Sequence, residues 1–300
     1  MKPKPHLIKD CGVLFFTDYA MSVPLLVVAL HSLYGKWPCL WPLCDSQITV
    51  VYGLNTPEFF IKLLHCTRNF RVNLQPTSIN QMNRRYGDVT RRCWNVKPLI
   101  HKESPYNITL FYDCDHVFFN RFDPSIFDII KKSGLTSCSH PWDKVNYRLQ
   151  GRSRIRAQLI RQLNMPCGDH LPIVNGGCVG SVKGTPLLNE WESKIPTFGQ
   201  KTCHILLKKV ADEFALAHTM EQHGIEVADP RWSYSPWTET DDEINSVVKS
   251  VIGIHYAAGK YQKLQSYKAA FQAAYKDDYL FLRTCFDDYL KCNIAIQKLL

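Results

Sequence analysis

The chain has no hydrophobic run long enough to span a membrane, no Cys-x-x-Cys pair, no internal repeat and no low-complexity tract. Each absence removes a class of protein. A bilayer span needs about 20 apolar residues, and the stretch Met21 to Leu30 falls well short of that and carries Pro24. Lys2, Lys4 and Lys9 precede the first apolar run, Gly12 to Phe16, but Asp18 cuts it off, so it reads as a first strand and not as a signal peptide. The 12 cysteines do not make a disulfide framework: Cys11, Cys66, Cys114, Cys138 and Cys178 lie in or beside apolar runs of a chain far longer than stapled miniproteins. They are expected to be free thiols in a reducing compartment. Cys39 and Cys44 lack a second ligand pair at suitable spacing, so no zinc pattern is expected from the sequence. Together these readings place the chain in the cytoplasm, or at most on the face of a membrane, in a bacterial, viral or cytosolic setting.

What is present is an ordinary globular composition, 300 residues with 45% hydrophobic and 21% charged, large enough for a substantial core. The net charge of +9 favours anionic partners. Arg84, Arg85, Arg91, Arg92, Arg152, Arg154, Arg156 and Arg161 occur as short clusters without a nucleic-acid motif, so phosphate contacts or solvated faces are expected rather than nucleic acid.

Strands and helices alternate through the first half, the pattern of βαβ units and a mostly parallel sheet. Strands are expected at Gly12–Thr17, Gln47–Tyr52, Phe70–Leu74, Ile108–Tyr112 and Gly134–Ser139, with helices at Met21–Tyr34, Pro57–Cys66, Cys93–His101, Pro124–Lys132 and Arg152–Leu163. Further on, Leu171 to Ser181 forms two short apolar runs around Gly176-Gly177, consistent with a tight hairpin or a site of close backbone approach. Helices are expected at Pro186–Lys194 and Thr202–His218, strands at Ile225–Ala228 and Val251–Tyr256, and helix through most of Leu264–Leu300. Tyr267, Phe271 and Tyr275, spaced by four, mark a core-facing edge of that last segment.

The run Ile108 to Tyr112 ends in Asp113-Cys114-Asp115. Carboxylates two apart at the C-terminal mouth of a buried strand repel one another and are costly to desolvate; a divalent cation that also touches a substrate phosphate is the natural compensation. Trp142, in His140-Pro141-Trp142-Asp143 after another strand, is either a stacking platform or a core residue.

In the order Asp-x-Asp after a strand, Asn175-Gly176-Gly177, Asp212-Glu213 on a helix, and His255 followed by Gly259-Lys260, the chain resembles the GT-A glycosyltransferases, most of all glycosyltransferase family 8, the glycogenin and galactosyltransferase-like group. The resemblance covers roughly Gly12 to Lys260. It implies an α/β GT-A fold, with a mixed, mostly parallel central sheet flanked by helices, over residues 1–262; residues 263–300, which match nothing in the family, are expected from their helix-forming sequence to be a C-terminal helical extension packed on the same domain. It implies Mn²⁺ or Mg²⁺ held by Asp113, Asp115 and His255 against the diphosphate of a nucleotide-sugar, a UDP-sugar in that group, with a glycan or other hydroxyl acceptor. Thr17, Lys97, Tyr112, Cys114, Asn175, Gly176, Gly177, Gly259 and Lys260 are the matching donor-side positions, and Asp212 and Glu213 the catalytic candidates. Two departures stand out: Glu213 replaces the family's Gln, and Gly259 and Lys260 are adjacent with no Pro-Trp after them.

Chemically, loss of a nucleoside diphosphate from an anomeric carbon builds negative charge that a cation and a lysine stabilise. An inverting mechanism would use Asp212 or Glu213 as general base, whereas a retaining one needs no base in that position. Two other readings fit the Asp-x-Asp. One is a haloacid dehalogenase-like phosphohydrolase with Asp113 as nucleophile and Asp241-Asp242 as its late acidic pair; the other is a module that binds nucleotide-sugar or glycan without turnover.

Overall fold

The computed structural model describes residues 10–18, 22–34, 47–53, 56, 72–79, 96–139, 147–200, 211–236, 240–256 and 264–277. In chain order they form β1 (Cys11–Thr17), α1 (Ser22–Tyr34), β2 (Ile48–Tyr52), β3 (Asn73–Pro76), α2 (Lys97–Lys102), β4 (Ile108–Tyr112), β5 (His116–Phe118), α3 (Ile126–Ser133), β6 (Leu135–Ser139), α4 (Tyr147–Gln162), β7 (Val174–Val182), α5 (Pro186–Gln200), α6 (Ala211–Gln222), a 3₁₀ turn (Pro230–Trp232), α7 (Asp241–Val247), β8 (Gly253–His255) and α8 (Gln265–Asp277). Six strands make one sheet in the order β3-β2-β1-β4-β7-β6, while β5 and β8 make a separate antiparallel pair. β2 and β3 are parallel and β7 runs against both β4 and β6; the sheet is mostly parallel, as the alternating pattern predicts, and mixed, as the resemblance implies.

β1 and β4 are buried along their whole lengths, as their continuous apolar and β-branched runs require. The Asn175-Gly176-Gly177 segment is not a hairpin. It lies inside β7, at a register shift where Ser137 pairs with Val179 but Ser139 pairs with Val174. The Ser137 hydroxyl donates to the carbonyls of Asn175 and Cys178 at 2.8 and 3.0 Å, and the Asn175 Oδ1 accepts the Gly177 N–H at 3.0 Å, so side chains take over where the ladder is broken. Ile225–Ala228 does not form a strand; Ala228 makes one isolated bridge with Cys138. α6, Ala211–Gln222, carries Asp212 and Glu213 in its first turn, and the earlier part of the expected helix, 202–210, lies outside the described residues. Pro57–Cys66 and the tail beyond Asp277 lie outside the described residues.

The chain divides into two compact units, one of Met1–Leu14, Thr77–Tyr112 and Pro124–Pro230, the other of Phe15–Pro76, Asp113–Asp123 and Arg231–Leu300. The first has a core of β6, β7, α4, α5 and α6 side chains that includes Leu135, Val179, Ile160, Trp191, Phe198 and Phe214. In the second, α8 packs on α1, with Tyr267 and Phe271 fully buried and Tyr256 edge-on to Tyr267 at 5.1 Å. Those two residues bear out the core-facing aromatic edge. Among the described residues no helix is long and apolar enough to cross a membrane. Cys11, Cys114, Cys138, Cys167 and Cys178 are not in disulfides.

Asp241 has a structural task. Its carboxylate accepts the backbone N–H groups of Gln265 and Ser266, both at 3.0 Å, and so caps α8 from a neighbouring helix. Slight burial would raise its pKa, but these backbone bonds outweigh that and hold it below the ordinary carboxylate value. A depressed carboxylate stabilises the fold above its unfolded pKa, and that contribution is lost as pH falls through the folded value. Asp241→Ala is therefore expected to cost about 1 kcal/mol at neutral pH, with the deficit shrinking below about pH 4. Urea unfolding of both proteins across that range checks it, and a deficit that does not narrow would show that the carboxylate charge contributes nothing.

Candidate functional site

In the second unit, Asp113-Cys114-Asp115 leads directly into the short strand β5. The Cys114 thiol is buried and donates to the Phe16 carbonyl at 3.1 Å, which pins the turn to the end of β1. Pairing of β5 with β8 places His116 opposite His255, and the Tyr256 N–H donates to the Asp115 carbonyl at 2.9 Å. The two imidazoles stack at 4.5 Å between centroids and 6° between planes. His255 Nε2 then lies 3.0 Å from Asp115 Oδ1 and 3.7 Å from Asp113 Oδ2. The side chains of Asp113, Asp115 and His255 are 29%, 18% and 8% exposed, so the carboxylates meet solvent while the imidazole backs them.

The ligand atoms of Asp115, His116 and His255 all lie within 4.8 Å of one another. His116, however, has both ring nitrogens committed. Nδ1 faces the Asp113 carbonyl at 2.9 Å, which only accepts, so Nδ1 carries the proton and Nε2 accepts the Ser233 hydroxyl at 2.7 Å. His116 is thus the group that fixes the Asp113 backbone and stacks behind His255, and Asp115, Asp113 and His255 are the residues that could hold a cation. Two carboxylate oxygens converging on one imidazole nitrogen suit a divalent cation of Mn²⁺ or Mg²⁺ type, the nitrogen favouring Mn²⁺. Burial alone would raise the Asp115 pKa; the charge and hydrogen bond of His255 outweigh it, so the carboxylate stays ionised. His116 and Ser233 were not singled out from the sequence. His116 directly follows the Asp-x-Asp and was findable there, whereas Ser233 carries no local signal.

Three donor-side expectations in or beside these strands fall on buried side chains. Thr17 is fully buried and its hydroxyl bonds the Ser22 hydroxyl, while its carbonyl takes the Gly53 N–H at 2.8 Å and the Thr56 hydroxyl at 3.1 Å. The Cys114 side chain is tied to β1 as described. Tyr112 is a core side chain of the first unit, its hydroxyl pushed well above its ordinary pKa by burial and by the Cys178 and Cys138 thiols. Their side chains hold strands together. Gly259, Lys260, Trp142 and Arg84 to Arg92 lie outside the described residues.

The first unit holds a second charged cluster. Lys97 opens α2, where its charge is opposed by the helix dipole, yet it is only 4% exposed. It is held by the Gly176 carbonyl at 2.7 Å, by Asp212 Oδ2 at 3.8 Å and by the Phe111 ring at 5.6 Å. Asp212 is 2% exposed, and its backbone carbonyl accepts the Trp191 indole N–H at 2.9 Å. A Cβ on Gly176 would sit 2.8 Å from Glu213 Cγ, which is why β7 carries glycine where α6 crosses it. Glu213 is partly exposed, with Arg156 Nη2 3.9 Å away and that guanidinium lying over Phe214. The structure thus joins Lys97, Gly176, Asp212 and Glu213, which are scattered in sequence, and separates the roles of the acidic pair. Asp212 is a buried counter-ion; Glu213 faces outward.

Removing one partner of a buried ion pair leaves an uncompensated charge. Lys97→Ala is expected to destabilise by about 3–5 kcal/mol, and Lys97→Ala/Asp212→Leu to recover much of that loss. Thermal unfolding of the three proteins decides it, since a double variant no more stable than the single one would show that the two charges are not coupled.

No family model matches the chain, and no curated protein matches it. Solved structures do. The WbbM bifunctional glycosyltransferase in its apo form aligns over 83% of this chain at 12% identity and a TM-score of 0.53; the alignment spans 46% of that protein, so this chain corresponds to less than half of it. Mouse xyloside xylosyltransferase 1, also apo, aligns over 84% of this chain and 99% of its own length at 14% identity and a TM-score of 0.52. These likenesses, with the mixed sheet and its flanking helices, show the GT-A fold of nucleotide-sugar transferases.

Proposed function

We propose that this protein is a metal-dependent glycosyltransferase that moves a sugar from a nucleotide-sugar, a UDP-sugar, to the hydroxyl of a glycan or other acceptor. The observation that carries the reading is the convergence of Asp113, Asp115 and His255 at the end of β4 in a chain with the GT-A fold. Bound there, Mn²⁺ or Mg²⁺ would supply a positive charge against the leaving diphosphate. Asp113, Asp115 and His255 are the residues that would hold that cation. His116 keeps the Asp113 backbone in place, so the carboxylate pair is set before any donor arrives. Lys260, just beyond His255, is the candidate phosphate contact.

Of the two acidic candidates, Glu213 is the better general base because Asp212 is buried against Lys97. Asn175, Gly176 and Gly177 contribute backbone shape where a side chain would obstruct a sugar ring; Lys97 orders that backbone through the Gly176 carbonyl. Glu213→Gln is expected to lower turnover by about 10²–10⁴-fold with UDP affinity unchanged. Equal turnover in the variant would remove Glu213 from the chemistry and favour a retaining mechanism.

Titration calorimetry of UDP tests the donor site directly. Binding is expected with Mn²⁺, and is expected to vanish with EDTA and in Asp113→Ala/Asp115→Ala. Absence of UDP binding under every condition would overturn the UDP reading. The phosphohydrolase alternative has lost its late acidic pair, since the Asp241 carboxylate caps α8.

A further inference from the structure

A second group of ligating side chains lies in the first unit, where no zinc spacing was visible in the sequence. His218 and Glu221 are three apart on α6 and so share a face, and Cys167 comes from the loop between α4 and β7. Their ligand atoms lie within 4.8 Å of one another. Ligands about 2.0–2.3 Å from a tetrahedral cation stand about 3.3–3.8 Å apart, so a shift of about an ångström closes the three on one ion.

The decisive observation is the state of His218. It is 2% exposed. Its Nε2 meets the Pro166 carbonyl at 2.7 Å, and a carbonyl only accepts, so Nε2 carries the proton and the lone pair sits on Nδ1. That Nδ1 is buried and has no hydrogen-bond partner among the described residues, which is costly for an imidazole nitrogen shielded from water. An imidazole that donates one N–H to a backbone carbonyl and keeps the other nitrogen unpaired has the outer-shell arrangement of a metal ligand. Glu221 is oriented in the same manner: Oε1 accepts the Gly168 N–H at 2.9 Å and Oε2 the Gln222 amide at 2.6 Å, and each oxygen retains a second lone pair.

We infer that Cys167, His218 and Glu221 form a binding site for a divalent cation of the zinc class. One sulfur, one imidazole nitrogen and one carboxylate oxygen are a donor set that selects Zn²⁺ over Mg²⁺ or Ca²⁺. On binding, the Cys167 thiol releases its proton to solvent and its sulfur donates a lone pair to the cation, while His218 and Glu221 ligate without losing a proton. Cys167 and Glu221 are partly exposed, so the cation enters from water and water completes the shell. The site staples the α4–β7 loop to α6. It contains the sulfur ligand that Asp113, Asp115 and His255 lack.

Co²⁺ titration of the full chain tests this, because a thiolate bound to Co²⁺ gives a charge-transfer band that oxygen and nitrogen ligands do not. The band is expected in the native protein and in Asp113→Ala/Asp115→Ala, lost in Cys167→Ser, and displaced by Zn²⁺. Glu221→Gln is expected to weaken Co²⁺ binding about tenfold or more, and Zn²⁺ to raise the Tm of the native chain but not of Cys167→Ser. A band absent from the native protein, or undiminished in Cys167→Ser, would overturn the inference.

Discussion

Two carboxylates at the open end of a buried strand govern this molecule. Asp113 and Asp115 are placed there because Ile108–Tyr112 is too apolar to lie anywhere but in the interior, so the first polar residues after it emerge together. Their mutual repulsion is offset by an imidazole that arrives from the far end of the chain, and β5–β8 pairing exists at the register that delivers it, His116 against His255. β8 is only three residues long, and two of them do something specific. His255 faces the carboxylates, its N–H binds the Tyr234 carbonyl, and Gly253 brings the strand close to Phe118 and the Trp232 carbonyl where a Cβ would be crowded.

The first unit solves a different problem with the opposite means. A buried lysine at a helix N-terminus is unfavourable twice over, once by desolvation and once by the dipole. It is tolerated because a carbonyl, a carboxylate and an aromatic face surround it. The carboxylate is itself well placed, since Asp212 occupies the first turn of α6 where the dipole favours negative charge. Hence the ion pair is a bond between two helix starts, α2 and α6, with the β7 glycine carbonyl between them. That arrangement explains why Asp212 and its neighbour Glu213, alike in sequence, are chemically unlike. One side chain is buried and the other is partly exposed.

Much of this was legible from residue patterns, because strong periodicity and burial report the same physics. Ile108–Tyr112 has the bounds expected of it, and α1, β2 and β6 differ by a residue at one end. What the patterns missed depended on distant partners. Gly176-Gly177 has the local chemistry of a turn, but Ser137 and Asn175 side chains satisfy the interrupted ladder and let it pass as a bulged strand. Asp241-Asp242 has the look of a catalytic pair, yet Asp241 is occupied by the N–H groups of a helix some distance along the chain. Thr17, Tyr112 and Cys114 stand beside the Asp-x-Asp or at a strand end, and nearness in sequence does not distinguish a side chain that lines a site from one that locks the strand behind it.

The same reasoning separates the two imidazoles of the candidate metal centre. Both histidines lie in short strands, both are buried, and their rings are stacked almost parallel. Only the hydrogen-bond ledger tells them apart. His116 has a proton on Nδ1 because a carbonyl demands it, and its Nε2 is met by the Ser233 hydroxyl, so neither nitrogen is left for a cation. His255 directs Nε2 at two carboxylates instead. Stacking against a ring that is itself fixed at both nitrogens restricts the rotation of His255, so its Nε2 is held towards the two carboxylates by a neighbour that touches neither of them through its ring nitrogens.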